Sequence, residues 1–394
     1  MELEERAVRS TLSVLGGECM RVYVDGPAGP LSIFALLFCL GAPAEAHHPG
    51  VGGNGGSGGP INTISAGTLG EGQIGVAVRY EFIRLGQLDD AGLLAAASQG
   101  NHAHSMRSIE GFSVGAGYGI TDDLMVSLRL PFIRRSDIRE PMVEEDHMMG
   151  GMMSMGGSFI NARGNAAGLG DVTLLGQYRF HKNPALGIEA AVLFGIKVPT
   201  GQTNRRDASG ELFEAQFQPG TGSVDGLFGF ALTKRMGPLS FDVSGLYWLA
   251  GKGTQDTNQG DRFLFGGAVS YRAVGFIPPS QAKDMHAHCS QAQNAHHDHC
   301  QNHEGHQHKH VERAPFALDL VLELNGEWHD NQRIAGVIDP NSGGTTVYFS
   351  PGVRAVIDRY AAFVSVGVPI VNNHNGVQSK PDWRILTGIS AAFD

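Results

Sequence analysis

From residue 73 onward, apolar and polar positions alternate with a period of two, in segments of about ten residues separated by turn-rich stretches, as half-buried β-strands require. In 111–120 one face carries Phe112, Val114, Ala116, Tyr118 and Ile120, and the other Gly111, Ser113, Gly115, Gly117 and Gly119. Phe316, Leu318, Leu320, Leu322 and Leu324 share a face opposite Asp319, Glu323 and Asn325, and Trp383 to Phe393 repeat the pattern at the C-terminal end. The alternation predicts twelve strands, over 73–86, 111–120, 124–136, 170–180, 186–200, 222–236, 240–252, 261–276, 316–328, 346–357, 362–371 and 383–393. No segment of comparable length has helical periodicity.

Alternation alone does not separate a soluble sandwich from a membrane barrel. Three features favour the barrel. Turns alternate between very short (Thr121-Asp122-Asp123; Gly237-Pro238-Leu239) and long (87–110, 140–169, 202–221), as in outer-membrane barrels. Aromatic residues such as Tyr178, Phe180, Tyr247, Phe263, Phe265, Trp328 and Trp383 gather near strand ends like interfacial girdles. The last strand carries Phe393 next to the terminal Asp394. The expected fold is therefore all-β: an antiparallel up-and-down transmembrane barrel of about twelve strands, spanning 73–394 and interrupted by a long His-rich loop at 277–315. With the apolar faces on lipid, the lumen is lined by Arg79, Glu81, Arg129, Arg179, Glu189, Lys197, Asp225, Asp242, Arg272, Asp319, Glu323, Arg354 and Arg384. Such charges either line an open channel or pair across strands and plug it.

Four stretches resemble a known family: 115–135 (GAGYGITDDLMVSLRLPFIRR), 168–180 (GLGDVTLLGQYRF), 195–204 (GIKVPTGQTN) and 218–247 (QPGTGSVDGLFGFALTKRMGPLSFDVSGLY). They are similar to the outer-membrane transporters grouped as the MetA-pathway phenol-degradation family. The resemblance covers most of the mature chain. It implies a Gram-negative outer-membrane barrel with a transport role, no catalytic residues, and no explanation for the metal-type segments.

The N-terminal region adds the route of export. The apolar run 31–40 (LSIFALLFCL), followed by Ala44-Glu45-Ala46, reads as a signal peptide cleaved after Ala46, with Met20 a better start than Met1 because of the acidic residues at 2–5. Residues 47–72 are Gly-rich and read as a flexible segment. A formal charge of −10 excludes a nucleic-acid partner. The expected surroundings are outer-membrane lipid and lipopolysaccharide.

Three patches carry metal chemistry. Between 286 and 310 stand His286, His288, Cys289, His296, His297, His299, Cys300, His303, His306, His308 and His310; imidazole and thiolate suit borderline and soft transition metals. Cys289 and Cys300 can equally form a disulfide. Loop 140–169 holds Met142, Met148, Met149, Met152, Met153 and Met155 around His147, and thioethers favour Cu(I). Cleavage after Ala46 leaves His47 and His48 at the new terminus, and His102 with His104 form a weaker His-x-His pair. No cofactor is required; the ligand sets allow Cu, Zn, Ni or Co. With periplasmic termini, the 87–110 and 140–169 loops face outward and 277–315 faces the periplasm.

No nucleophile is placeable beside His329-Asp330, so the chain does not read as an enzyme. The leading expectation is a passive channel for a small solute, with metal-binding loops at both mouths biased toward copper and a periplasmic metal carrier as partner. One alternative is a channel for aromatic or other hydrophobic molecules with an incidental His-rich loop. Another is a plugged surface barrel that binds or senses metal without transport.

Overall fold

The computed structural model describes residues 59–99, 103–143, 148–149, 152–153, 158–275 and 316–393. Its long elements are β1 (Ile74–Gly86), α1 (Asp90–Ser98), β2 (Ser108–Thr121), β3 (Leu124–Val143), β4 (Ser158–Leu169), β5 (Val172–Asn183), β6 (Ile188–Val198), β7 (Asp225–Met236), β8 (Leu239–Leu249), β9 (Arg262–Val274), β10 (Ala317–His329), β11 (Gly344–Ile357), β12 (Tyr360–His374) and β13 (Lys380–Phe393). Every long strand is antiparallel to its neighbours, and β1 pairs with both β2 and β13, Ile74 lying opposite Phe393. The ring thus closes with twelve strands. β4 stands outside it, paired with the distal half of β3 from Phe132 to Val143, while the proximal half of β3 pairs with β5.

All twelve strands expected from alternation are present. Two elements were not legible. β4 falls in what read as a loop because SFINARGNAAGL lacks an apolar face and bends at Gly164 (φ +82°). α1 is nine residues, too short to show a helical period; Asp89 caps it by accepting a hydrogen bond from Gly92 N, and Leu93 and Ala96 bury against Ala103, Ile160 and Val377.

One mouth carries the tight turns β2–β3, β5–β6, β7–β8 and β11–β12, together with the start of β1 and the end of β13. The turns at 237–238 and 358–359 place Gly237 (φ +57°) and Asp358 (φ +51°) in the left-handed region, matching the strand twist that short hairpins need. The connection from β9 to β10 leaves the same mouth, where Val274 pairs with Leu318; its residues 276–315 lie outside the described residues. Long connections occupy the other mouth.

Polarity is inverted relative to a soluble sandwich. Outward-facing Phe228, Leu322 and Val368 are 55%, 52% and 51% exposed, whereas Asp319, Asp242 and Glu323 are 0%, 1% and 2% exposed inside. Apolar side chains around the whole exterior and ionisable groups in the interior are the solution for lipid, not water. Aromatic pairs stand toward the long-loop ends of the strands, Phe82 against Trp383 and Phe228 against Tyr247, both with centroids 5.2 Å apart. Leu322→Arg, in the middle of β10, should therefore destabilise the barrel in bilayers by about 2–4 kcal/mol. Urea-induced unfolding in vesicles measures this; a cost near zero would place that face in water.

Candidate functional site

The lumen is occupied by the chain itself. Residues 59–72, the end of the stretch whose composition reads as a flexible linker, run inside the barrel. Gly59 lies beside Arg354, near the tight-turn mouth, and the segment climbs to about mid-barrel at 61–64 before returning to Gly72, whose N–H donates to Gly119 O. An extended strand inside a barrel has no ladder, so its amides need other acceptors. Glu323 supplies most of them: its carboxylate accepts from the backbone N–H of Ile61 (3.1 Å), Asn62 (3.0 Å) and Thr63 (3.0 Å). Ser244 Oγ accepts from Ile64 N (3.1 Å). Thr233 Oγ1 accepts from Ala66 N (2.9 Å) while donating to Asp242 (2.6 Å). Gln177 Nε2 donates to the carbonyls of Ser65 and Gly67, and Arg79 donates to Asn62 Oδ1. Three wall glycines make room: a Cβ on Gly119 would sit 1.9 Å from Gly70 O, one on Gly266 2.8 Å from Thr63 Oγ1, and one on Gly352 2.6 Å from Ile61 Cδ1. Ile61, Ile64 and Leu69 were the apolar signal within that polar stretch.

The other mouth is covered by the 199–224 loop. Phe213 and Phe217 are buried with Ile138 and Ala166. Gln255 and Gln259 donate to the carbonyls of Phe213 and Ala215, Gln332 donates to Gln216, and Arg135 donates to Gln218 O.

All thirteen residues named above as lumen-lining have inward faces, and most are engaged. Arg272 and Arg354 converge on Asp319, the latter at 2.9 Å; Lys197 bridges Asp225 (2.6 Å) and Asp171 (3.3 Å). Arg179 holds Asp123 and faces Glu189, which Arg235 also holds, and Arg384 lies 3.7 Å from Glu81. Arg129 differs. It points inward yet is exposed, and among the described residues it makes no hydrogen bond or ion pair, so the lumen keeps open space beside it. Beginning on β5, the strand next to Arg129, Leu193, Leu227 and Leu246 form an apolar wall with Leu175, Trp248 and Leu264, and Ile64 of the insert packs on it. The same strands carry Lys197 and Asp225 toward the long-loop mouth and Glu189 and Asp242 toward the tight-turn mouth, so the apolar surface is a band between charged groups.

Of the metal-type residues, His104 is half-buried at the long-loop mouth and Met142 is 38% exposed on β3. Met148–Met149 pairs with Met152–Met153 as a two-residue ladder. His47, His48, His102, His147, Met155 and the ligands from His286 to His310 lie outside the described residues.

No protein-family model matches the chain, and no curated protein does. Among solved structures, the COG4313 outer membrane channel from Pseudomonas putida F1 is similar with a TM-score of 0.51 and 16% identity, over 83% of this chain and 98% of that one. The TodX deltaS2S3 mutant monoaromatic hydrocarbon channel matches with a TM-score of 0.40 and 10% identity, over 88% and 99%. The closed ring, lipid-facing belt and polar interior define a transmembrane β-barrel of the outer membrane. The first likeness agrees with that fold.

Glu323→Ala should strip three amides of their acceptor and loosen the insert by about 1.5–3 kcal/mol, the range for hydrogen bonds to a charged group. In a Thr63→Cys chain with Cys289 and Cys300 replaced by Ser, maleimide labelling should accelerate roughly tenfold or more. Unchanged labelling would show that the insert is held by its apolar contacts instead.

Proposed function

We propose that this barrel is a channel for small apolar or aromatic solutes, gated from within by residues 59–72. The observation that carries the reading is the apolar lumenal wall of Leu175, Leu193, Leu227, Leu246, Trp248 and Leu264. Barrel interiors in contact with water are ordinarily polar, so a continuous aliphatic and indole surface there suits a solute that gains by leaving water. Ile64 covers part of that wall, and its withdrawal would expose a path between the insert and the mouth loop. The resemblance to a transporter family and the likeness to the Pseudomonas outer membrane channel support the same class.

This reading replaces copper as the favoured solute. Among the described residues, the inward faces of the strands carry carboxylates, guanidiniums, hydroxyls and aliphatics, with no ladder of imidazole or thioether ligands along which a soft ion could be exchanged. With tight turns on the periplasmic side, as in barrels of this kind, the insert gates from the periplasm and the 199–224 loop covers the outer mouth.

Deletion of residues 59–72 should raise single-channel conductance and increase flux of toluene or benzyl alcohol into liposomes more than flux of a sugar. Leu246→Asp in that deletion should reduce the aromatic preference. Equal gains for sugar and aromatic solute would indicate an unselective pore; silence of both proteins would leave a plugged surface barrel.

A further inference from the structure

At the outer mouth, three side chains from distant parts of the chain meet. His104 follows α1, Glu140 lies on the distal part of β3, and Glu214 belongs to the loop that covers the lumen. The backbone sets the first two side by side: Ser105 N donates to Arg139 O and Arg139 N to Ser105 O, both at 2.9 Å. The imidazole stands edge-on to Phe217, with centroids 5.1 Å apart and planes at 79°. Its Nε2 is 3.3 Å from Glu214 Oε2 and its Nδ1 is 3.6 Å from Glu140 Oε2. One donor atom from each residue lies within 4.8 Å of the other two.

We infer that His104, Glu140 and Glu214 form a site for a divalent first-row transition ion such as Zn2+, which ties the mouth loop to the barrel rim. One imidazole nitrogen and two carboxylate oxygens are a ligand set such ions accept, leaving a position for water. Donors about 2.0–2.2 Å from a shared ion must come within roughly 4.4 Å of one another, a side-chain shift of a few tenths of an ångström from the present spacing.

Two further observations fit a cation bound here. His104 Nδ1 is buried and has no hydrogen-bond partner, a state buried polar atoms rarely keep. The surroundings are also acidic beyond their compensation. Arg163 holds Glu140, Asp207 (2.6 Å) and Glu211 (3.2 Å), so its charge is shared among three carboxylates, and Arg139 is held by Asp90, while Glu214 Oε2 meets the imidazole and accepts from Gln216 Nε2 (2.8 Å). Both ring nitrogens point at carboxylates, Nε2 at Glu214 and Nδ1 at Glu140. That is the field a cation would meet. One nitrogen and two carboxylate oxygens suit Zn2+ better than Cu(I), which prefers sulfur.

The His-rich 286–310 segment would dominate bulk metal titration, so the test must be local. Crystals of the full-length barrel grown with Zn2+ should show an anomalous peak between His104, Glu140 and Glu214. In solution, Zn2+ should slow proteolysis of the 199–224 loop, at Arg205 and Arg206, by at least tenfold. Glu214→Gln and His104→Gln, each checked for native heat-modifiable migration, should abolish that protection, whereas replacing His286–His310 by Ser should leave it intact. Absence of an anomalous peak, or protection that survives Glu214→Gln, would overturn the site and leave an ion pair between His104 and the two carboxylates.

Discussion

Everything in this molecule depends on closing the backbone hydrogen bonds of a lipid-embedded sheet on themselves. β1 meets that demand by pairing with β13 as well as β2, from Ile74–Phe393 to Gly86–Lys380, so the twelve-strand ring has no free edge. The same closure fixes where the preceding residues can go. β1 begins at the tight-turn mouth, and the chain before it either stays outside or enters the lumen. It enters, and thereby brings a stretch of unladdered amides into the interior. Much of the inward polar pattern is explained by that debt: Glu323, Ser244 and Thr233 accept amide protons, Gln177 donates to two carbonyls, and glycines stand where the insert lies against the wall.

How far the sequence carries is set by the range of each interaction. Strand number, position and facing follow from a period-two pattern that is local, and the barrel reading followed from turn lengths and aromatic placement. The inward faces of the charged residues were legible for the same reason. Their partners were not. Arg272, Asp319 and Arg354 belong to β9, β10 and β11, and only the register places them together. The insert was hidden because a Gly-, Asn- and Thr-rich segment reads as solvated chain when nothing shows the acceptors awaiting it. His104 looked like half of a His-x-His pair; Glu140 and Glu214, the groups it meets, carry no motif at all.

The wall and the insert are held by different physics, and the difference decides which part can move. Wall pairs such as Lys197 with Asp225 and Asp171, or Asp319 with its two arginines, are buried, and losing one partner from such a pair costs about 3–5 kcal/mol. They also bridge strands whose separation is already fixed by the ladder, so they add rigidity without adding a degree of freedom. The insert is held by hydrogen bonds that are each worth about 1 kcal/mol net, somewhat more at the Glu323 carboxylate. Its large apolar anchors are Ile61, Ile64 and Leu69.

If the insert withdraws toward the mouth through which it entered, water can solvate both the amides and the polar wall groups they leave, which lowers the cost relative to breaking the same bonds in a dry core. The apolar wall behaves differently. Once Ile64 leaves it, Leu193, Leu227 and Leu246 face a wet lumen, and an apolar solute can recover the burial that the insert gave up. Solute and insert then compete for one surface, so the solute can favour the open arrangement by the difference in its affinity for the two states and needs no separate energy source. The charged pairs on either side of that band, Lys197 with Asp225 and Arg179 with Glu189, bridge strands of the ring and stay in place, so the affinity is confined to the apolar surface between them.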